Sequence, residues 1–370
     1  MFKRIIILIC VMYFILPTIN AKASVYTEQH SASGAQELPF ALPDETREFM
    51  NKNGLNTENE KWTDNITVEN VFTHIFNFLK SGAKAPFSAT LSIIAVIIIS
   101  SVITANAEGD SVSKACLFAT ALSAAALICL PVFSTINAAI NAMRGCAAFM
   151  TAFIPVFAVV VASSTGIATS VSMSAVLLYA TQVVSYICNF VITPLMGGYL
   201  ALSVTSSASP IIENSGIANG IKKLSFWIMS LLTTIFIGIL SIQTAVNTSV
   251  DTLTVKTAKF IIGSAVPVAG TALSEALTTV TASMGLLKSS IGVYGVIACV
   301  LIFLPLLLEL FLWRVGFIVS SAVAELFGVS KISSLIKNVD SVVAVLIGIL
   351  LLTLAMFVIS LAVVVSAGKS

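Results

Sequence analysis

The sequence predicts an all-α polytopic membrane protein with about six to eight transmembrane helices. Hydrophobic residues make up 57% of the 370 residues and charged residues only 10%, whereas soluble domains carry about 25% charged residues. The charges are also unevenly distributed, because 14 of the 36 lie in residues 24–85 and only 19 lie in residues 86–370. The first of these parts is therefore suited to water and the second to a bilayer.

Residues 1–23 have the pattern of an export signal. Lys3 and Arg4 precede an apolar run over residues 5–19, and Ala21-Lys22-Ala23 supplies the small-x-small pattern that precedes a cleavage site. We therefore expect residues 1–23 to be a signal peptide. An uncleaved signal anchor is the alternative, although the apolar run is short for a span of about 20 residues.

Residues 24–85 are expected to form a short extracytoplasmic segment, which holds nine acidic and five basic residues and is too small to be a self-sufficient enzyme. Apolar residues recur at helical spacing over residues 66–79, which predicts an amphipathic helix that lies on the membrane or against a partner. His74 on this helix has no other metal-ligand types around it, so we expect an ordinary surface histidine.

Residues 86–370 are expected to form the polytopic membrane domain. The strongest predicted spans are residues 86–105, 115–143, 145–164, 224–247, 291–312 and 341–365, with Arg144 interrupting the second and third. Residues 171–203 are too long for one crossing and are broken near Pro194, so they form either one kinked helix or a span with a re-entrant piece. A shorter apolar piece over residues 315–327 ends at Gly328.

The most informative stretch is residues 249–277, which is polar within an apolar domain. An ionisable group costs a few kcal/mol or more at the bilayer centre, so such groups face a cavity, water or a partner. We therefore expect a re-entrant or broken segment with pore-lining or partner-docking residues. The candidates are Asp251, Lys256, Lys259, Gly263, Pro267, Gly270 and Glu275.

The lysines around this stretch conflict with a simple topology. Lys222 and Lys223 lie on one side of the span 224–247, and Lys256 and Lys259 lie on the other. Because positive residues are retained in the cytoplasm, both pairs cannot be cytoplasmic if the span crosses once. Either residues 258–290 dip into the membrane and return, or one lysine pair faces outward to meet a partner.

Residue types needed for catalysis or cofactor binding are largely missing from the membrane domain. Both histidines, His30 and His74, lie in the extracytoplasmic segment, which excludes an intramembrane zinc site or histidine-based triad. We expect no enzyme activity, no cofactor and no nucleic-acid partner, since no basic stripe is present. The six cysteines are expected to be buried free thiols. Glu309, Arg314 and Glu325 are expected to snorkel at span ends rather than line a polar pathway.

Several short runs carry a resemblance to a known family. They are Phe153-Ile154-Pro155-Val156-Phe157, Ser249-Val250-Asp251, Lys256-Thr257-Ala258-Lys259-Phe260-Ile261, and Val266-Pro267-Val268 followed by Gly270. With the exported N-terminus and the acidic segment, they are similar to the stage III sporulation protein AE family over essentially the whole mature chain. The most specific similarity lies in residues 249–290.

This resemblance implies a non-enzymatic component of the channel complex, of the feeding-tube type, that joins mother cell and forespore and is required for endospore formation. The implied partners are sister stage III sporulation membrane proteins and a forespore membrane protein. The implied location is the mother-cell-derived outer membrane around the forespore, as a multi-pass protein. The alternative is a stand-alone secondary transporter of a small solute, because transporters also contain helices broken by Gly and Pro.

Overall fold

The structure, a computed structural model, describes residues 23–57, 62, 68–106, 110–165, 176, 180, 183–208, 216–239, 241 and 270–366. All regular secondary structure in these residues is helical. The helices are α1 (Ala23–Ala32), α2 (Asp44–Lys52), α3 (Val68–Gly82), α4 (Lys84–Asn106), α5 (Asp110–Thr165), α6 (Thr193–Ala208), α7 (Gly216–Ile239), α8 (Gly270–Leu326) and α9 (Ser330–Ser366). A 3₁₀ helix (Ala35–Ala41) separates α1 from α2.

The predicted fold class is confirmed. Within the described ranges, six helical segments are long and apolar enough to cross a membrane. They lie in the second half of α3 with α4, in α5, in α6 with the turn before it, and in α7, α8 and α9. The predicted amphipathic helix is α3, which continues through a turn at Ala83 into α4. The predicted signal peptide lies outside the described residues, apart from Ala23.

Two of the helices are far longer than the sequence predicts. α5 has 56 residues and α8 has 57, so each is about 85 Å long, against a hydrocarbon core of about 30 Å. The predicted interruption at Arg144 is wrong, because an exposed arginine is a good helix former and leaves the backbone hydrogen bonds intact. Likewise, residues 291–312 and 315–327 are parts of one helix, α8.

The break predicted near Pro194 is a helix irregularity. A π turn (Cys188–Ile192) leads directly into α6. Pro194 is the second residue of α6, where its missing N–H is tolerated. The Thr193 hydroxyl also donates a hydrogen bond to the Cys188 carbonyl oxygen (2.8 Å). The described part of this region, Val183–Ser206, is therefore one helix with a π turn, as the kinked-helix alternative predicts.

α8 and α9 form an antiparallel hairpin at the centre of the molecule. The turn between them has Gly328 at φ 72°, a left-handed conformation that glycine adopts without steric cost. The Val329 N–H donates to the Ala324 carbonyl oxygen (2.9 Å), which closes the end of α8. In the apolar windows of α8 and α9, 67% of the residues are buried, against 17% for α4 and α7. The other helices therefore surround this hairpin.

Contacts between residue pairs give the directions of α4 and α5. The Ser101 hydroxyl donates to the Phe327 carbonyl oxygen (3.4 Å), and Thr90 packs against Gly316, so α4 runs parallel to α8. α5 runs antiparallel to α8. The turn between α4 and α5 therefore lies at the same end of the molecule as the Gly328 turn, which we call the Gly328 end.

The remaining helices pack on α9. Tyr199 meets Asn338 and Cys188 meets Thr353, so α6 is antiparallel to α9. The contacts Lys222–Ser341 and Met229–Gly348 make α7 parallel to α9, and α7 runs away from the Gly328 end. α8 runs back toward it. Residues 240–269, which join α7 to α8, therefore connect helix ends that both lie at the opposite end.

Candidate functional site

The structure gives only partial information on the seven residues chosen from the sequence. Asp251, Lys256, Lys259, Gly263 and Pro267 lie outside the described residues. Gly270 is the first residue of α8 and Glu275 lies in its second turn, and their side chains are not described. Because α8 continues unbroken from Gly270, a re-entrant turn would have to lie before that residue. The pore-lining or partner-docking role of all seven stays a prediction.

A second set of polar residues, which we call the polar junction, connects four apolar helices near the Gly328 end. Its members are Tyr199 of α6, Lys222 of α7, Arg314 of α8, and Asn338, Asp340 and Ser341 of α9. Arg314 and Lys222 were singled out from the sequence, and the other four were not.

An ion pair between α8 and α9 is the strongest interaction in the junction. Arg314 Nε donates to Asp340 Oδ1 at 3.0 Å, and the two side chains are 30% and 21% exposed. A hydrogen bond between charged groups is roughly twice as strong as one between neutral groups. Placing one charged group alone in such apolar surroundings would cost free energy. The opposite charge of the partner lowers this cost.

Two further hydrogen bonds bring α6 and α7 into the junction. Lys222 Nζ donates to Ser341 Oγ (3.1 Å), and the Tyr199 hydroxyl donates to Asn338 Oδ1 (3.3 Å). All three α9 residues lie within one turn, so a single turn of α9 contacts three other helices. This arrangement fixes how the four helices are aligned along their axes.

Glu325 also pairs across the hairpin, and not with Arg314. Its carboxylate accepts hydrogen bonds from Lys337 and from the Ser333 hydroxyl (3.1 Å for Ser333). This pair is more exposed than the junction, at 54% and 58%. Arg314 and Glu325 are thus each ion-paired to a residue of α9. The sequence led us to expect that both would snorkel at span ends, without partners on another helix.

The N-terminal segment forms a second buried polar cluster, against the middle of α8. The Tyr26 hydroxyl hydrogen-bonds to the Thr57 carbonyl oxygen (2.8 Å) and to Ser290 Oγ (3.0 Å). Trp62 Nε1 donates to the same Ser290 oxygen (2.7 Å). His30 Nε2 and Thr57 Oγ1 share a hydrogen bond of 2.8 Å. All five residues are buried, so they position the segment against α8.

Apolar contacts extend this docking site along α8 and onto α5. The Trp62 ring meets the Tyr294 ring edge-on, with centroids 6.0 Å apart. Pro43 packs directly on Gly145, where an added Cβ would come within 2.9 Å of Pro43 Cγ. The segment therefore shares the hydrophobic core of the membrane domain and is not a separate appendage. No pattern in the sequence predicts these contacts.

Both clusters consist of polar contacts that join separate parts of the chain. No group of three or more His, Cys, Asp or Glu side chains that could hold a metal ion occurs among the described residues. The polar groups of both clusters instead bond to one another between helices. Such contacts align helices.

The family model of stage III sporulation protein AE matches residues 50–368, which is most of the chain. The chain belongs to the stage III sporulation protein AE family. The protein named Stage III sporulation protein AE from Bacillus subtilis (strain 168) is 26% identical over 238 residues. The alignment covers 63% of this chain and 59% of that relative, so the chain spans about three fifths of the relative's length. No solved structure matches the chain.

The stage III sporulation protein AE match includes the polar junction but only part of the N-terminal segment. It begins at residue 50, after α1, the 3₁₀ helix and most of α2. Trp62, Ser290 and the whole polar junction lie inside it, whereas Tyr26 and His30 lie before it. The docking site therefore joins residues outside the family match to helices within it.

Proposed function

We propose that this chain is a non-enzymatic membrane component of a multi-protein channel complex between the mother cell and the forespore. The observation that carries the proposal is the family match over residues 50–368. The six apolar helical segments and two clusters that join helices without catalytic geometry agree with a role in building a passage. The proposed partners are sister stage III sporulation membrane proteins and a protein of the forespore membrane.

The distribution of lysines supports a definite orientation. Lys114, Lys222, Lys223, Lys331 and Lys337 lie on helices near the Gly328 end. Positive residues near span ends are retained in the cytoplasm, so we propose that the Gly328 end faces the mother-cell cytoplasm. The N-terminal segment docks on the opposite half of α8, which agrees with its export. In the outer forespore membrane, this half faces the space between the two membranes.

This orientation favours one answer to the conflict between the lysine pairs. Lys222 lies near the Gly328 end, whereas Lys256 and Lys259 belong to the connection between helix ends at the opposite end. We therefore propose that Lys256 and Lys259 face outward and dock a partner. Single cysteines introduced at positions 222, 256 and 331 in a cysteine-free background test this proposal. Position 256 should react with an impermeant maleimide from outside, and positions 222 and 331 should not.

Complex membership is tested by purifying the tagged chain from sporulating cells in mild detergent. We expect the sister proteins to co-purify with the wild-type chain and to be lost from the double variant Lys256→Glu, Lys259→Glu. That variant should block sporulation after engulfment at normal protein level. The matched control is Lys331→Glu, an exposed lysine at the Gly328 end, which should keep the partners.

Two results would contradict this proposal. Normal spore yield from the Lys256, Lys259 double variant would show that these lysines are not needed for sporulation. Uptake of a small solute by vesicles that contain this chain alone would favour the secondary transporter.

A further inference from the structure

Two cysteines that are distant in sequence lie side by side between α5 and α8. Cys146 Sγ and Cys299 Sγ are 3.7 Å apart, although 153 residues separate them along the chain. Both side chains are 0% exposed and both are free thiols in the structure. A disulfide requires sulfurs about 2.05 Å apart, so closing this gap takes a movement of less than 2 Å.

The packing between α5 and α8 is tight one turn from the two thiols. Gly295 lies one turn before Cys299, and an added Cβ there would come within 2.6 Å of Phe153 Cζ on α5. Gly145 precedes Cys146. Small residues let helices pack at short distances in membranes, and a disulfide needs Cα atoms about 4.4–6.8 Å apart. The tight packing at Gly295 holds α8 against α5 beside the cysteines, which agrees with a cross-link at this level.

We propose that Cys146 and Cys299 form a disulfide that joins α5 to α8 in the mature protein. The Cys146 thiol lies beside Gly145, on which Pro43 of the N-terminal segment packs. The pair therefore lies in the half of the molecule that binds this segment. Export of the segment, which belongs to the proposed function, places this half toward an oxidising compartment. The proximity of the two thiols does not depend on that export.

The reaction requires a thiol-disulfide oxidoreductase on the extracytoplasmic side. The thiolate of one cysteine attacks the enzyme's disulfide, which forms a mixed disulfide and releases one enzyme thiol. The thiolate of the other cysteine then attacks the chain's own sulfur, which forms the Cys146–Cys299 bond and releases the second enzyme thiol. Two protons leave the chain and two electrons reduce the enzyme. Since both sulfurs are buried between α5 and α8 in the folded chain, this exchange takes place before the two helices pack around them.

The cross-link would enclose a functionally important part of the chain. Residues 147–298 contain α6, α7 and the stretch 249–277, which carries the most specific family resemblance. A disulfide would hold the two ends of this part together independently of the lipid. The closed loop is long, and long loops lose the most chain entropy in the unfolded state. We therefore expect the oxidised chain to resist unfolding by detergent more than the reduced chain.

The test counts thiols in the protein as the cell makes it. Sporulating cells are quenched in acid, and the denatured chain is reacted with a maleimide coupled to polyethylene glycol, with and without prior reduction. We expect two fewer labelled cysteines without reduction. Mass spectrometry of the unreduced digest should detect the peptide of Cys146 linked to that of Cys299, which identifies the pair without any variant.

Variants supply the controls. Cys146→Ala and Cys299→Ala should each abolish the difference in labelling, whereas Cys129→Ala should leave it. Equal labelling of the wild-type chain with and without reduction would overturn the proposal. A difference that survives in Cys146→Ala would also overturn it. Failure to co-purify with sister proteins does not alter the thiol count, so this result separates the cross-link from the proposed complex.

Discussion

Removing the carboxylate of Asp340 is the sharpest test of the polar junction. The variant Asp340→Ala leaves the guanidinium of Arg314 in place without its partner. Removing one partner of a fully buried pair costs about 3–5 kcal/mol, and a solvent-exposed pair is worth about 0–1 kcal/mol. Since the two side chains are 30% and 21% exposed, we expect a loss between these limits, about 2 kcal/mol in the free energy of unfolding. This corresponds to a factor of roughly 30 in the folding equilibrium.

The Glu325–Lys337 pair is a matched control in the same hairpin. It joins the same two helices, but its side chains are 54% and 58% exposed. Glu325→Ala should therefore cost much less than Asp340→Ala, because solvent screens an exposed pair. Both variants can be compared with the wild-type chain by equilibrium unfolding in mixed micelles, with increasing dodecyl sulfate as the denaturant.

A double-mutant cycle separates the ion pair from other effects of the substitution. Arg314→Ala combined with Asp340→Ala should cost less than the sum of the single variants, because the double variant leaves no unpaired charge. The exchanged pair, Arg314→Asp with Asp340→Arg, should recover part of the loss. Strict additivity of the two alanine variants, or equal losses for Asp340→Ala and Glu325→Ala, would refute the reasoning.

Two other predictions concern the docking site and the helix contacts. Ser290→Ala removes the partner of Trp62 Nε1, so we expect a loss of about 1–3 kcal/mol and faster proteolysis of the N-terminal segment; an unchanged cleavage rate would contradict the docking contacts. Gly295→Ala places a Cβ against a rigid ring and should lower the melting temperature, with a cost of about 1–3 kcal/mol for overpacking. Gly348→Ala should be nearly neutral, because its Cβ meets the flexible end of Met229 at 2.9 Å and alanine favours the helix. Equal melting temperatures for the two alanine variants would contradict this difference.

The sequence predicted the fold class because apolar composition and span length depend on local properties of the chain. It did not predict that α5 continues through Arg144. A charged residue within an apolar run looks the same in sequence whether the helix ends there or continues there outside the bilayer. The partners of Arg314 were also missed. Pairing with Asp340 depends on how α8 and α9 are aligned around Gly328, and no local pattern specifies that alignment. Ser290 carried no signal, because a lone serine in an apolar helix has many ordinary roles.

α8 connects the features on which the proposed function rests. It begins at Gly270, directly after the undescribed part of the stretch 249–277, and continues without a break past Ser290 to Arg314. At 1.5 Å per residue, the distance from Gly270 to Arg314 is about 66 Å. A partner that binds before Gly270 therefore acts on one end of a continuous helix whose other half is fixed by the polar junction. A shift of α8 relative to α9 would therefore break the ion pair between Arg314 and Asp340. The Asp340→Ala variant thus tests both the alignment of the two helices and the stability of the fold.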